Sequence, residues 1–260
     1  MAYGPTAGNR HETVFLDAGH GGIDPGAIGT TEAGRTIYEA NETLSVELVT
    51  MAMLRSSGFR VVVSRTRPTT VLQLGMGDVS EGVLTLKGAH DDVAARDACA
   101  NDGEAGVLVG IYFDANSSPE VAGSLTAYDA VRLFSAKNLA LADLLQRDVL
   151  AAMNAQGWAI PDDSVLPDSG LGSLAGDSAA GGLAQRAATY DHLLLIGPAR
   201  AGYFSTPSGM PGAVIEPLYI TDPFEASIAD SVRGQMVIAQ GLASAVKQFF
   251  NLSSTSLTTR

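Results

Sequence analysis

Two short apolar runs, residues 14–16 and 59–63, bracket a stretch in which Leu44, Leu48, Met51 and Leu54 recur at helical spacing. A strand, an amphipathic helix and a second Val-rich strand in that order form a β-α-β unit, which requires parallel strands and a right-handed crossover. The pattern then repeats. Helical spacing over residues 91–100 leads to a buried run at 107–113, and 123–128 reads as a further strand. Leu139, Leu141, Leu144, Leu145 and Val149 place a broad apolar stripe on a helix over 136–154. Residues 193–196 and 213–215 read as two more buried strands, and 224–249 as a final helix, with Asp222 as N-cap and Pro223 in its first turn. Strands alternating with helices predict a single α/β domain with a twisted, mostly parallel sheet covered by helices on both faces.

The 260 residues divide into an N-terminal extension (1–12), a domain (13–251) and a polar tail (252–260). Two stretches lack clean periodicity and read as loop insertions. One is about 66–88, with four glycines; the other is 160–182, rich in Asp, Ser, Gly and Pro. Hydrophobic residues make up 46%, enough for a large core, and the net charge of -12 excludes the Lys/Arg stripe that nucleic acid demands. No apolar run reaches the eighteen residues needed to span a membrane. One cysteine, Cys99, rules out an internal disulfide and a cysteine zinc site. The first residues lack the basic segment and apolar core of a signal peptide, so an exported form needs a leader that this sequence does not carry.

In such sheets ligands gather at the carboxyl ends of the strands. His20, Asp114 and Glu216 each follow a predicted strand, and His20 sits between glycines that leave its imidazole accessible. Glu39 opens the first helix, where a carboxylate is also favoured by the dipole; Glu42, one turn deeper, is its rival. Glu216 closes an apolar strand, a costly place for a charge without a role.

The run Asp17-Ala18-Gly19-His20-Gly21-Gly22-Ile23-Asp24-Pro25-Gly26-Ala27 resembles, nearly letter for letter, the opening motif of the zinc-dependent N-acetylmuramoyl-L-alanine amidases. The resemblance implies a zinc ion held by His20 and Glu39, with Glu216 as the catalytic carboxylate. It also implies hydrolysis of the amide between N-acetylmuramic acid and L-alanine in peptidoglycan. The family's third ligand is a histidine on the third strand, where this chain carries Tyr112 in Gly110-Ile111-Tyr112-Phe113-Asp114-Ala115-Asn116-Ser117. Tyr112 and Asp114 share one face of that strand. Three outcomes stand open: Asp114 completes the shell, Tyr112 binds as phenolate, or the site is degenerate. Asn116 and His192 are the substrate-contact candidates, His192 doubling as a reserve ligand. His90 reads as a solvated helix start, His11 as a surface residue, and Arg65 and Arg96 as structural ion-pairing residues.

The resemblance further implies an extracytoplasmic wall enzyme, or a phage lysin, whose partners are peptidoglycan or muropeptides and a protein activator or regulator. Competing readings are a degenerate homologue that binds or regulates at the wall, and a metal-dependent hydrolase of another amide.

Overall fold

The computed structural model describes residues 1–169, 171, 186 and 189–255. Among them, seven strands form one sheet: β1 (Ala2–Tyr3), β2 (Thr13–Ala18), β5 (Arg60–Val63), β8 (Val107–Ile111), β9 (Ser124–Tyr128), β10 (Asp162–Pro167) and β11 (Gly212–Glu216). Two small hairpins lie outside it, β3 (Ile28–Thr30) with β4 (Thr36–Tyr38), and β6 (Val79–Ser80) with β7 (Val83–Leu84). The helices are α1 (Glu39–Ser56), α2 (Leu86–Asp102), α3 (Ser135–Asn154), α4 (Pro223–Ala229) and α5 (Val232–Thr255).

The spatial order is β1-β5-β2-β8-β11-β9-β10. The central strands β5, β2, β8 and β11 are parallel; β9 runs antiparallel to β11, and β10 parallel to β9. Alternation along each strand separates two cores. Val14, Leu16, Val61, Val63, Val109 and Ile215 face α1, α3 and α5. Phe15, Val62, Leu108 and Val214 face the other way, onto Val93 and Ala100 of α2 and the apolar segment around Tyr190–Phe204. The expected α/β architecture is therefore present, with helices on both faces.

Several expected boundaries are corrected. Residues 2–3 of the predicted extension pair antiparallel with β5 as an edge strand. Within 66–88, the β6–β7 hairpin precedes a helix that starts at Leu86 rather than about Asp91, because the Thr85 hydroxyl accepts from Gly88 N at 3.1 Å. Within 160–182, residues 162–167 form β10, whose polar composition suits an edge exposed to water; residues 170 and 172–182 lie outside the described residues. The predicted strand 193–196 is a turn: Ile196 N and Gly197 N both donate back to Leu193 O. A four-residue apolar run has no periodicity to separate the two conformations. The final helix is broken at Asp230–Ser231, where the Ser231 hydroxyl accepts from Gly234 N at 2.8 Å and starts α5 afresh. It also continues to Thr255, through the start of the expected polar tail.

Candidate active site

Strands β2, β8 and β11 are neighbours and parallel, so their carboxyl ends open on one rim. His20 follows β2, Tyr112 and Asp114 follow β8, and Glu216 ends β11. His20 itself adopts φ +61°, a left-handed backbone uncommon for a residue with a side chain. The bridge between Gly21 and Asp24 holds the turn, with Gly21 N donating to Asp24 O at 2.9 Å. Arg96 fastens it from below by donating to the His20 carbonyl at 2.7 Å.

The His20 ring is fixed at both nitrogens. Nδ1 lies 2.8 Å from Asp24 Oδ2, and Nε2 lies 3.1 Å from Glu39 Oε2. Glu39 is 3% exposed, so its carboxylate is held rather than mobile. Oε1 accepts from Phe113 N and Oε2 from Ala27 N, each at 2.9 Å. A Cβ on Gly26 would come within 2.6 Å of Glu39 Oε2 and 2.7 Å of His20 Cδ2, so only glycine allows the pair to close. Burial lowers the His20 pKa, but the Glu39 and Asp24 carboxylates outweigh it and raise it to about 10. The pocket thus draws positive charge onto the imidazole–carboxylate pair.

Glu42, the rival, points elsewhere, accepting from Gln235 Nε2 at 3.0 Å. Glu216 and Asp114 face the same cavity; burial, then the Asp114 and Glu39 charges, push the Glu216 carboxyl up to about 8, with His20 pulling the opposite way. Burial, then the neighbouring Asp114 and Asp163 charges, raise the Tyr219 hydroxyl pKa above its usual value. Asp114 and Glu216 line a cavity of about 180 Å³ with Leu125, Ala127, Leu171, Leu193 and Val214.

His20 and Glu39 fit a zinc ion. Their facing atoms are separated by nearly the ligand–ligand edge of a tetrahedral site, about 3.3 Å for bonds of about 2.0 Å. Asp24 behind the imidazole supplies the outer carboxylate that fixes a ligating histidine. The third donor is not closed onto them. Among the described residues, the group of three whose ligand atoms all lie within 4.8 Å of one another is Asp129, Asp168 and His192.

The Tyr112 hydroxyl donates to Asp17 Oδ2 at 3.2 Å, and burial beside Asp17 raises its pKa well above 10, opposing a phenolate. A Cβ on Gly19 would lie 2.4 Å from Tyr112 Cε1, so the ring occupies the space beside the motif.

Other expectations resolve differently. Asn116 uses its side chain to accept from Ser118 N in its own turn. His192 is held between Asp129 and Asp168, where burial pushes the Asp168 carboxyl up to about 6, His192 pulling it back and Asp129 raising it further. Arg96 does pair with carboxylates, at 2.8 Å to Asp17 and 2.7 Å to Asp92. Arg65 instead donates to the carbonyls of Ala18, Gly19 and Ala40 and clasps the motif turn against α1. His90 is buried against Tyr203 and Phe204 rather than solvated, because α2 begins a turn earlier than its polar letters suggest. His11 is exposed. Asp24, four residues past His20 within the motif, also belongs to the site, and that spacing is its signal in the sequence.

Residues 14–248 match the family described as N-acetylmuramoyl-L-alanine amidase. The chain belongs to that family. It is 26% identical over 251 residues to the N-acetylmuramoyl-L-alanine amidase AmiC of Neisseria meningitidis, covering 94% of this chain and 54% of that protein. It therefore spans about half the length of that curated relative. The fold is similar to the CwlD amidase of Clostridioides difficile, solved in complex with the GerS lipoprotein, with a TM-score of 0.67 at 17% identity, covering 93% of this chain and 99% of that one. The amidase AmiC2 of Nostoc punctiforme matches with a TM-score of 0.61 at 19% identity, covering 94% and 99%.

Proposed function

We infer that this amidase-family chain hydrolyses the amide joining N-acetylmuramic acid to L-alanine in peptidoglycan. The observation that carries the reading is the His20 Nε2–Glu39 Oε2 approach of 3.1 Å on the rim where Glu216 ends its strand. In this reading His20, Glu39 and Asp114 hold zinc, with Asp114 turning from Glu216 and Tyr219 to join the pair. Bound zinc supplies Lewis-acid polarisation of the amide carbonyl and lowers the pKa of water toward neutrality. The rest falls to the chain's own residues. Asp24 keeps the imidazole oriented, and Glu39 is held by two backbone amides. Glu216, which ends its strand at this rim, takes a proton from water in its ionised form and passes it to the departing L-alanine nitrogen. The apolar wall of Leu125, Ala127, Leu193 and Val214 limits water around that transfer.

The catalytic unit is residues 13–251, acting on wall outside the cytoplasmic membrane. A protein regulator is part of the same reading, supported by the lipoprotein complex of the CwlD relative.

A second reading, a wall-binding homologue without tight zinc, draws support from Tyr112 and its bond to Asp17. One experiment separates them. Zinc content and muropeptide cleavage are measured together for native protein, His20→Ala and Glu39→Gln. An enzyme cleaves when zinc-loaded and loses cleavage in both variants; a binding module retains muropeptide without cleaving it.

A further inference from the structure

Outside the amidase site, two adjacent strands deliver carboxylates to one point. Tyr128 of β9 and Pro167 of β10 are paired in parallel register, so the next residues, Asp129 and Asp168, emerge side by side. Asp168 N donates to Tyr128 O at 2.9 Å and locks that arrangement. The third member, His192, comes from the segment that covers the second core. Its Nδ1 lies 3.1 Å from Asp129 Oδ2 and 3.2 Å from Asp168 Oδ1.

Each carboxylate has one oxygen tied down and the other aimed inward. Asp129 Oδ1 accepts from Val131 N and Arg132 N at 2.8 and 2.7 Å, and Asp168 Oδ2 from Leu193 N at 3.1 Å. Both aspartates are 0% exposed. An imidazole Nδ1 carries at most one hydrogen. Asp168 has the hydrogen-bond geometry to His192, while Asp129 Oδ2 is buried with no hydrogen-bond partner. The neighbouring Arg132 guanidinium is engaged by the carbonyls of Ile196, Gly197 and Ser208. A fully buried carboxylate oxygen facing a nitrogen and a second carboxylate is costly unless a cation is shared between them.

We propose that Asp129, Asp168 and His192 bind a divalent transition-metal cation, zinc or manganese, at a site separate from His20 and Glu39. One nitrogen and two carboxylate oxygens suit those ions better than calcium, which seeks six or more oxygens. Separation follows from the register. Glu216 pairs with Leu125, and Asp129 lies four residues further along β9, roughly 13 Å at the usual strand rise. The bound cation ties the ends of β9 and β10 to Leu193, which lines the cavity holding Glu216. Its role is to fasten that wall.

Zinc titrated into chelator-stripped His20→Ala protein isolates this site, read by calorimetry and by bound metal after desalting. About one equivalent is expected to bind, with a raised melting temperature. Asp129→Asn keeps an oxygen for Val131 N and Arg132 N, and His192→Ala removes a different ligand; each is added separately to His20→Ala. Loss of uptake in either, with native circular dichroism, supports the site. No uptake by His20→Ala, or uptake retained in both double variants, overturns it and leaves an ion-paired histidine.

Discussion

Asp24 grips the His20 imidazole from the side opposite Glu39, so its charge sets ring orientation and imidazole basicity. Asp24→Asn is expected to weaken zinc binding about 10- to 100-fold, read by competition with a chromophoric chelator, while the fold persists. Arg96 acts on the same turn from within the core, where it is 1% exposed and bonded to Asp17, Asp92 and the carbonyls of Ala18 and His20. Arg96→Met would strand two buried carboxylates. A loss of about 3–5 kcal/mol in denaturant unfolding is expected. These roles were unequally legible. His20 announced itself through flanking glycines and Glu39 through its place at a helix start. Whether Tyr112 or Asp114 faced the pair could not be read from letters, since it depends on which way Asp17 draws the phenol.

At the scale of elements, α4 is a short helix with one carboxylate turned inward. Glu225 Oε2 accepts from Tyr219 N and Gly123 N, joining the exit of β11 to the entry of β9. Burial, moderated by those two amides, raises its carboxyl from 4.5 to about 7. The folded chain therefore binds this proton more tightly than the unfolded one. The stability it gives is full below about 4.5 and is lost as pH rises through about 7. Glu225→Gln keeps an oxygen for both amides and removes that loss. Its melting temperature, relative to native protein, is expected to climb between pH 5 and pH 8. The start of α4 was readable, since Asp222 accepts from Glu225 N at 2.8 Å as a capping aspartate does. The break after it was not, because Ile228, Val232 and Met236 continue an apolar stripe across Ser231. β10 was hidden for the opposite reason: an exposed edge strand needs no apolar pattern, so its Asp, Ser and Pro read as a loop. With β10 unseen, nothing in the letters could bring Asp168 beside Asp129.

For the whole molecule, a parallel sheet with its functional loops on one rim was readable from strand–helix alternation, and the rim is where His20, Glu39 and Glu216 stand. The charge of -12 gives no long-range attraction toward anionic polymers. The proposed hydrolysis turns on Glu216 carrying the proton at that rim. Hydrolysis of a purified muropeptide by zinc-loaded protein, followed as release of the L-alanine amine, tests this most directly. The native chain is expected to cleave, and Glu216→Gln, with zinc content unchanged, to fall about 10²- to 10⁴-fold. Equal cleavage by Glu216→Gln, or none by the zinc-loaded native chain, would contradict it.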